Sequence, residues 1–142
     1  MPARTFISIG ENLSVTQWYG AMTLEDMLES QRRYMDCDDY RVGRPHLFDV
    51  SGVTSPMIDP KGMRQYIDLV KTQNFREAPT NVSVFAPSDL LFGLARQYQT
   101  MSELNKSVSV TIFRSERDAF ASVGRSDDCI DDLVFRYRLG EI

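Results

Sequence analysis

The stretch from His46 to Met63, HLFDVSGVTSPMIDPKGM, decides how the chain is read. Residues 46 to 50 are mostly apolar and fit a buried strand. From Ser51 onward Ser, Gly, Thr and Pro take over, which is the composition of a loop. Asp59 then offers an N-cap, with Pro60 at the first helical position. Met63, Tyr66, Ile67 and Val70 recur at the helical period, so a helix is expected from there to about Phe75.

Working outward, the same alternation of strand and helix repeats. Before this stretch, residues 5 to 9 and 13 to 19 are β-rich and flank Gly10-Glu11-Asn12, which reads as a hairpin closed at its far end by Gly20. Thr23 and Asp26 resemble a capping box, and Leu24, Met27, Leu28 and Met35 carry a first helix over residues 24 to 35. An acidic loop, Asp36 to Asp39, leads through Gly43 to Pro45. After the stretch, Val82, Val84 and Ala86 form a strand stopped by Pro87. Ser88 caps a helix whose face is Leu91, Leu94, Ala95, Tyr98 and Met101. Val108, Val110 and Ile112 form a fifth strand, and Ser115 starts a short helix through Ala119, Phe120 and Val123. The order β-β-α-β-α-β-α-β-α predicts an α/β layered fold. It has a five-stranded, mostly parallel sheet, an N-terminal hairpin and about four helices, filling residues 1–125.

Residues 126–142 are set apart as an acidic, aromatic tail. Phe135, Tyr137 and Leu139 alternate as in a strand, while Ile130, Leu133, Val134 and Tyr137 fit a helix equally well. Either pattern is too apolar for a solvated end, so the tail is expected to pack on its own domain or on a neighbouring subunit. That expectation makes a homo-oligomer, with a dimer favoured, the natural assembly.

Composition narrows the function. The chain has 142 residues, 42% hydrophobic and 25% charged, with a net charge of −4. These values fit an ordinary globular domain, and the acidic balance argues against a nucleic-acid partner. No apolar run is long enough for a transmembrane segment, and no signal peptide opens the chain, so a cytoplasmic location is expected. Cys37 and Cys129 form no CxxC pair, and His46 is the sole histidine, so no metal site is expected. His46, Asp49, Asp59 and Arg96 could be proposed as acid, base and anion clamp. However, no Gly-x-Ser-x-Gly elbow, GxGxxG or Walker sequence accompanies them. The expectation is a protein without cofactor and without catalysis.

Asp49-Val50-Ser51-Gly52-Val53-Thr54, followed by Met57-Ile58-Asp59-Pro60-Lys61-Gly62-Met63, resembles the signature of the STAS family, which includes the SpoIIAA anti-sigma-factor antagonists. That signature runs Asp-Leu-Ser-Gly-Val, a short apolar stretch, then Asp-Ser-Ser-Gly-Leu at a helix start. Gly20 to Asp26, Pro45 to Asp49, Ser88 to Arg96 and Val108 to Arg114 are similar to motifs of its small bacterial SpoIIAA-like, or STAS/SEC14-like, branch. The resemblance covers residues 5 to 125. It implies a SpoIIAA-like fold and a regulatory module that binds another protein through the loop and helix start, here Asp49, Ser51, Thr54, Ser55, Asp59, Lys61 and Gly62. The family's phosphorylated serine would stand at that helix start, where a phosphate meets free N–H groups. Pro60 and Lys61 occupy the place, so binding without a phosphoserine switch is expected. The SEC14-like association implies the alternative, a small-ligand or lipid pocket lined by Trp18, Met22, Tyr66, Phe92 and Tyr98.

Overall fold

A computed structural model describes residues 2–72, 79–103 and 108–142. The elements are β1 (Ala3–Ser8), β2 (Leu13–Thr23), α1 (Leu24–Asp36), β3 (His46–Met57), α2 (Pro60–Lys71) and β4 (Thr80–Phe85). They continue with α3 (Asp89–Glu103), β5 (Val108–Phe113), α4 (Glu116–Ser122), α5 (Ile130–Arg136) and a 3₁₀ turn at Arg138–Gly140. The five strands lie in the order β1-β2-β3-β4-β5, with β1 antiparallel to β2 and every other pair parallel.

That order dictates where the helices go. Each parallel crossover steps to the next strand in the same direction, and right-handed crossovers then place α1, α2 and α3 on one face. Met27, Met63, Tyr66, Ile67, Leu91, Ala95 and Tyr98 from these helices pack there on Trp18, Val82, Val84, Val108 and Val110 of the strands. The opposite face would be bare without α4 and α5, which bring Ala119, Phe120, Ile130, Leu133 and Val134 onto Phe6, Leu13, Val15 and Leu47. The period of two along β2 sorts its residues: Leu13 and Val15 face α4 and α5, while Trp18 faces α1 to α3.

The caps are as expected. Thr23 Oγ1 accepts from Asp26 N at 3.2 Å, Asp59 Oδ1 from Gly62 N at 2.7 Å and Ser115 Oγ from Asp118 N at 3.2 Å. Ser88 Oγ accepts from Leu91 N at 3.2 Å. The expected end of α2 near Phe75 lies outside the described residues.

Two expectations are corrected. First, β2 does not stop at Gly20. It continues to Thr23, with Gly20 at φ +60° inside a pair of register shifts against β3. An αL glycine in a strand marks a bulge as readily as a terminus. Second, the presumed loop after Val50 is strand to Met57, because it pairs with this continuation of β2. Gly52 is there for close approach: a Cβ on it would sit 2.8 Å from the Trp18 carbonyl oxygen. In the tail, where strand and helix patterns fitted equally, the chain is helical and forms α5. Ile130, Leu133, Val134 and Tyr137 are buried on the chain's own β1, β2 and α4, and of the tail's large apolar residues only Phe135 and Leu139 stay exposed.

Candidate functional site

Two adjoining chambers lie between the sheet and α1 to α3. The first, about 60 Å³, is walled by apolar atoms of Trp18, Met22, Phe48, Val50, Met63, Tyr66, Leu94 and Tyr98, among others. The second, about 40 Å³, lies toward the start of β3 and shares Phe48, Tyr66 and Tyr98 with the first. Four of the five residues predicted to form a pocket line the first chamber together. Phe92 does not; one helical position off that face, it lies under the Arg114 guanidinium, 4.3 Å from its ring centre. For scale, a dry engineered cavity of about 150 Å³ takes up benzene. The first chamber alone has room for one short apolar group.

The second chamber is aromatic and polar. Tyr34, Tyr40, His46 and Phe48 form a run of ring contacts, with centroids 5.0 Å apart for Tyr34 and Tyr40, 4.7 Å for Tyr34 and His46, and 4.1 Å for His46 and Phe48. His46 begins β3 and is buried, its Nε2 2.8 Å from Thr16 Oγ1. Burial holds its pKa down to about 3, so the ring is neutral at neutral pH. Burial likewise raises the phenols of Tyr34, Tyr66 and Tyr98, which stay protonated. Tyr34 shares a hydrogen bond with Ser14 at 2.8 Å, and Tyr66 donates to Gln31 Oε1 at 3.1 Å. Arg44, missed in the sequence reading, also lines this chamber. The signal that was available is the placement of Ser14, Thr16 and His46 on the helix-covered face of strands otherwise apolar there.

The predicted partner-binding residues divide. Asp49 is buried beneath the opposite face, accepting from Gln17 Nε2 at 3.0 Å, Ser51 N at 2.9 Å and Ser51 Oγ at 2.6 Å. Gln17 also donates to Asp131 of α5 at 2.9 Å. Asp49 therefore anchors the segment that follows it and does not present itself at the surface. Gly62 is buried too, its Cα against Leu24, and serves as the donor for the Asp59 cap. Ser51, Thr54, Ser55 and Lys61 are exposed, and they follow one another along β3 into the first turn of α2. Among the described residues, β4 pairs with β3 only as far as Asp49, so from Val50 onward β3 is bonded to β2 alone.

The candidates considered for catalysis do not converge. His46 and Asp49, three apart on one strand, lie on opposite faces of the sheet. Asp59 is a helix cap and Arg96 an exposed residue of α3. Among the described residues no three His, Cys, Asp or Glu side chains group as a metal ion would need. No described helix is long and apolar enough to cross a membrane.

No family model matches the chain, and no curated protein matches it. A solved structure resembles it: an uncharacterized protein of the DUF3478 family with a SpoIIAA-like fold, from Shewanella loihica PV-4. The two align over 84% of this chain and 91% of that one with a TM-score of 0.55, at 14% sequence identity. The fold is SpoIIAA-like. In this SpoIIAA-like chain the first turn of the helix after β3 holds Pro60 and Lys61.

Proposed function

We propose that the protein is a non-catalytic interaction module that binds another protein along the outer half of β3 and the start of α2. The observation behind this reading is the open side of β3 from Ser51 to Met57. It offers unpaired backbone groups with small polar side chains beside them, and Met57 is 61% exposed. An extended segment of a partner can add to such an edge by main-chain hydrogen bonds, with side chains setting specificity. Lys61 at the end of the strip adds one positive charge to the contact. With Pro60 and Lys61 at the helix start, the module works without the phosphoserine switch.

Photo-crosslinking in cells tests this. A benzophenone side chain at Thr54 or Ser55 is expected to give one discrete adduct, and Lys61→Glu to weaken it. The same probe at Ser109, on β5, serves as the control. An adduct of twice the chain mass would identify the partner as a second copy. Identical patterns from Thr54 and Ser109, or no adduct from Thr54 and Ser55, would overturn the reading.

A further inference from the structure

We propose that the two chambers form one site for a small organic carboxylate, its acid group held by Arg44 and its apolar body lying toward Trp18. Arg44 is 3% exposed and lines the polar chamber. Its acceptors are Asn12 Oδ1, 3.2 Å from Nε, and the Asp39 carbonyl oxygen, 2.7 Å from Nη1, both neutral. No described carboxylate pairs with it, although Asp36, Asp38 and Asp39 lie nearby in sequence on an exposed loop. A guanidinium carries five N–H donors. Two are used here, and Nη2, which is not fully enclosed, has no acceptor among the described residues.

A buried cation without a countercharge is costly. The chamber that receives Arg44 is lined by Gln31, Tyr34, Tyr40, Arg41 and His46 and by no Asp or Glu. His46, neutral through burial, adds no second charge. The missing element is one negative charge of planar shape, which a carboxylate supplies in the geometry a guanidinium prefers. The neighbouring chamber is wholly apolar and meets this one at Phe48, Tyr66 and Tyr98. Together they measure about two-thirds of the benzene-sized cavity, from volumes of about 60 and 40 Å³. A short aliphatic acid of about four carbons fits this combination; an aromatic acid, larger than benzene itself, and a full-length lipid do not.

Trp18 is the chain's one tryptophan and lines the apolar chamber, so its fluorescence reads occupancy directly. Titration with butyrate is expected to shift Trp18 emission saturably. Butan-1-ol, which lacks the charge, is expected to bind about ten-fold more weakly or worse, as is butyrate to Arg44→Gln. Ala95→Leu, which places a larger side chain in the apolar chamber, is expected to abolish both. Equal binding of acid and alcohol would reduce the site to an apolar cavity and overturn the proposal. So would the absence of any saturable change with butyrate. If Arg44→Gln does not fold, the acid–alcohol comparison on the unaltered chain still decides.

Discussion

Arg4 and Glu141 meet in a two-pronged ion pair, Nε to Oε2 at 2.9 Å and Nη2 to Oε1 at 2.8 Å, across 137 positions of sequence. Beside them the Ile142 amide donates to the Thr5 carbonyl at 3.0 Å, and Glu141 bridges to Phe6. The last residues thereby cover the outer edge of β1, which would otherwise be open to pairing with another chain. The C-terminal segment is part of the domain.

Two interactions hold that segment, and their magnitudes differ. The ion pair is 48% and 35% exposed, so its worth is under about 1 kcal/mol. Leu133, on α5, is fully buried against the second core. Leu133→Ala is expected to cost about 2–5 kcal/mol in urea unfolding, and Glu141→Gln under about 1 kcal/mol. Equal losses would show that charge, not packing, docks the tail. Because Arg4 holds the Glu141 carboxyl below its ordinary range, the small contribution of the pair is present at neutral pH. It is lost as pH falls through the lowered value.

His46 makes a larger acid response. Its folded pKa is about 3 against an ordinary 6.5, lowered by its burial. Between those values the unfolded chain takes up a proton that the folded one excludes, so stability falls as pH drops through that window, by at most about 1.4 kcal/mol per unit. His46→Gln is expected to flatten the stability curve between pH 6 and pH 4. Parallel curves for the two proteins would remove the imidazole as the source.

Gly52 and Gly93 should respond in opposite directions to alanine. A methyl at Gly52 would meet the Trp18 carbonyl oxygen at 2.8 Å, whereas one at Gly93 in α3 meets nothing within 4 Å. Gly52→Ala is expected to destabilise by about 1–3 kcal/mol through backbone displacement, and Gly93→Ala to stabilise by up to about 1 kcal/mol. Thermal denaturation of the two variants checks both signs. A neutral Gly52→Ala would mean that β2 and β3 can part there freely.

Asp59 and Lys61 are neighbours with different work. Asp59→Ala removes the acceptor of the Gly62 amide and is expected to cost about 1 kcal/mol of stability. Lys61 is exposed and unpaired among the described residues, so Lys61→Glu should stay within about 0.5 kcal/mol while altering partner binding. A Lys61→Glu variant that melts like Asp59→Ala would make the proposed contact residue a structural one.

Much of this molecule was legible before any coordinates. The hairpin, the helices α1 to α4 and their caps at Thr23, Asp59, Ser88 and Ser115 are local signals, and each operates within a few residues of where it is written. The chamber residues Trp18, Met22, Tyr66 and Tyr98 were reached from a family resemblance, and so was Phe92, which lies one position off the helical face that lines the chamber. Gly20 and Gly52 misled for a physical reason. Glycine is chosen both where a chain turns and where two strands must bulge or approach closely, and only the paired strand tells which.

What the sequence determined by itself was the order of strands and helices and the starts of the four side-chain-capped helices, because periodicity and capping act between near neighbours. Tertiary structure alone decided three things: that the tail folds as α5 over the second face, that β3 runs past β4 and leaves an open side, and that Arg44 reaches an aromatic chamber with no countercharge. Each depends on contacts between residues far apart in the chain, and such contacts leave no period in the sequence to read.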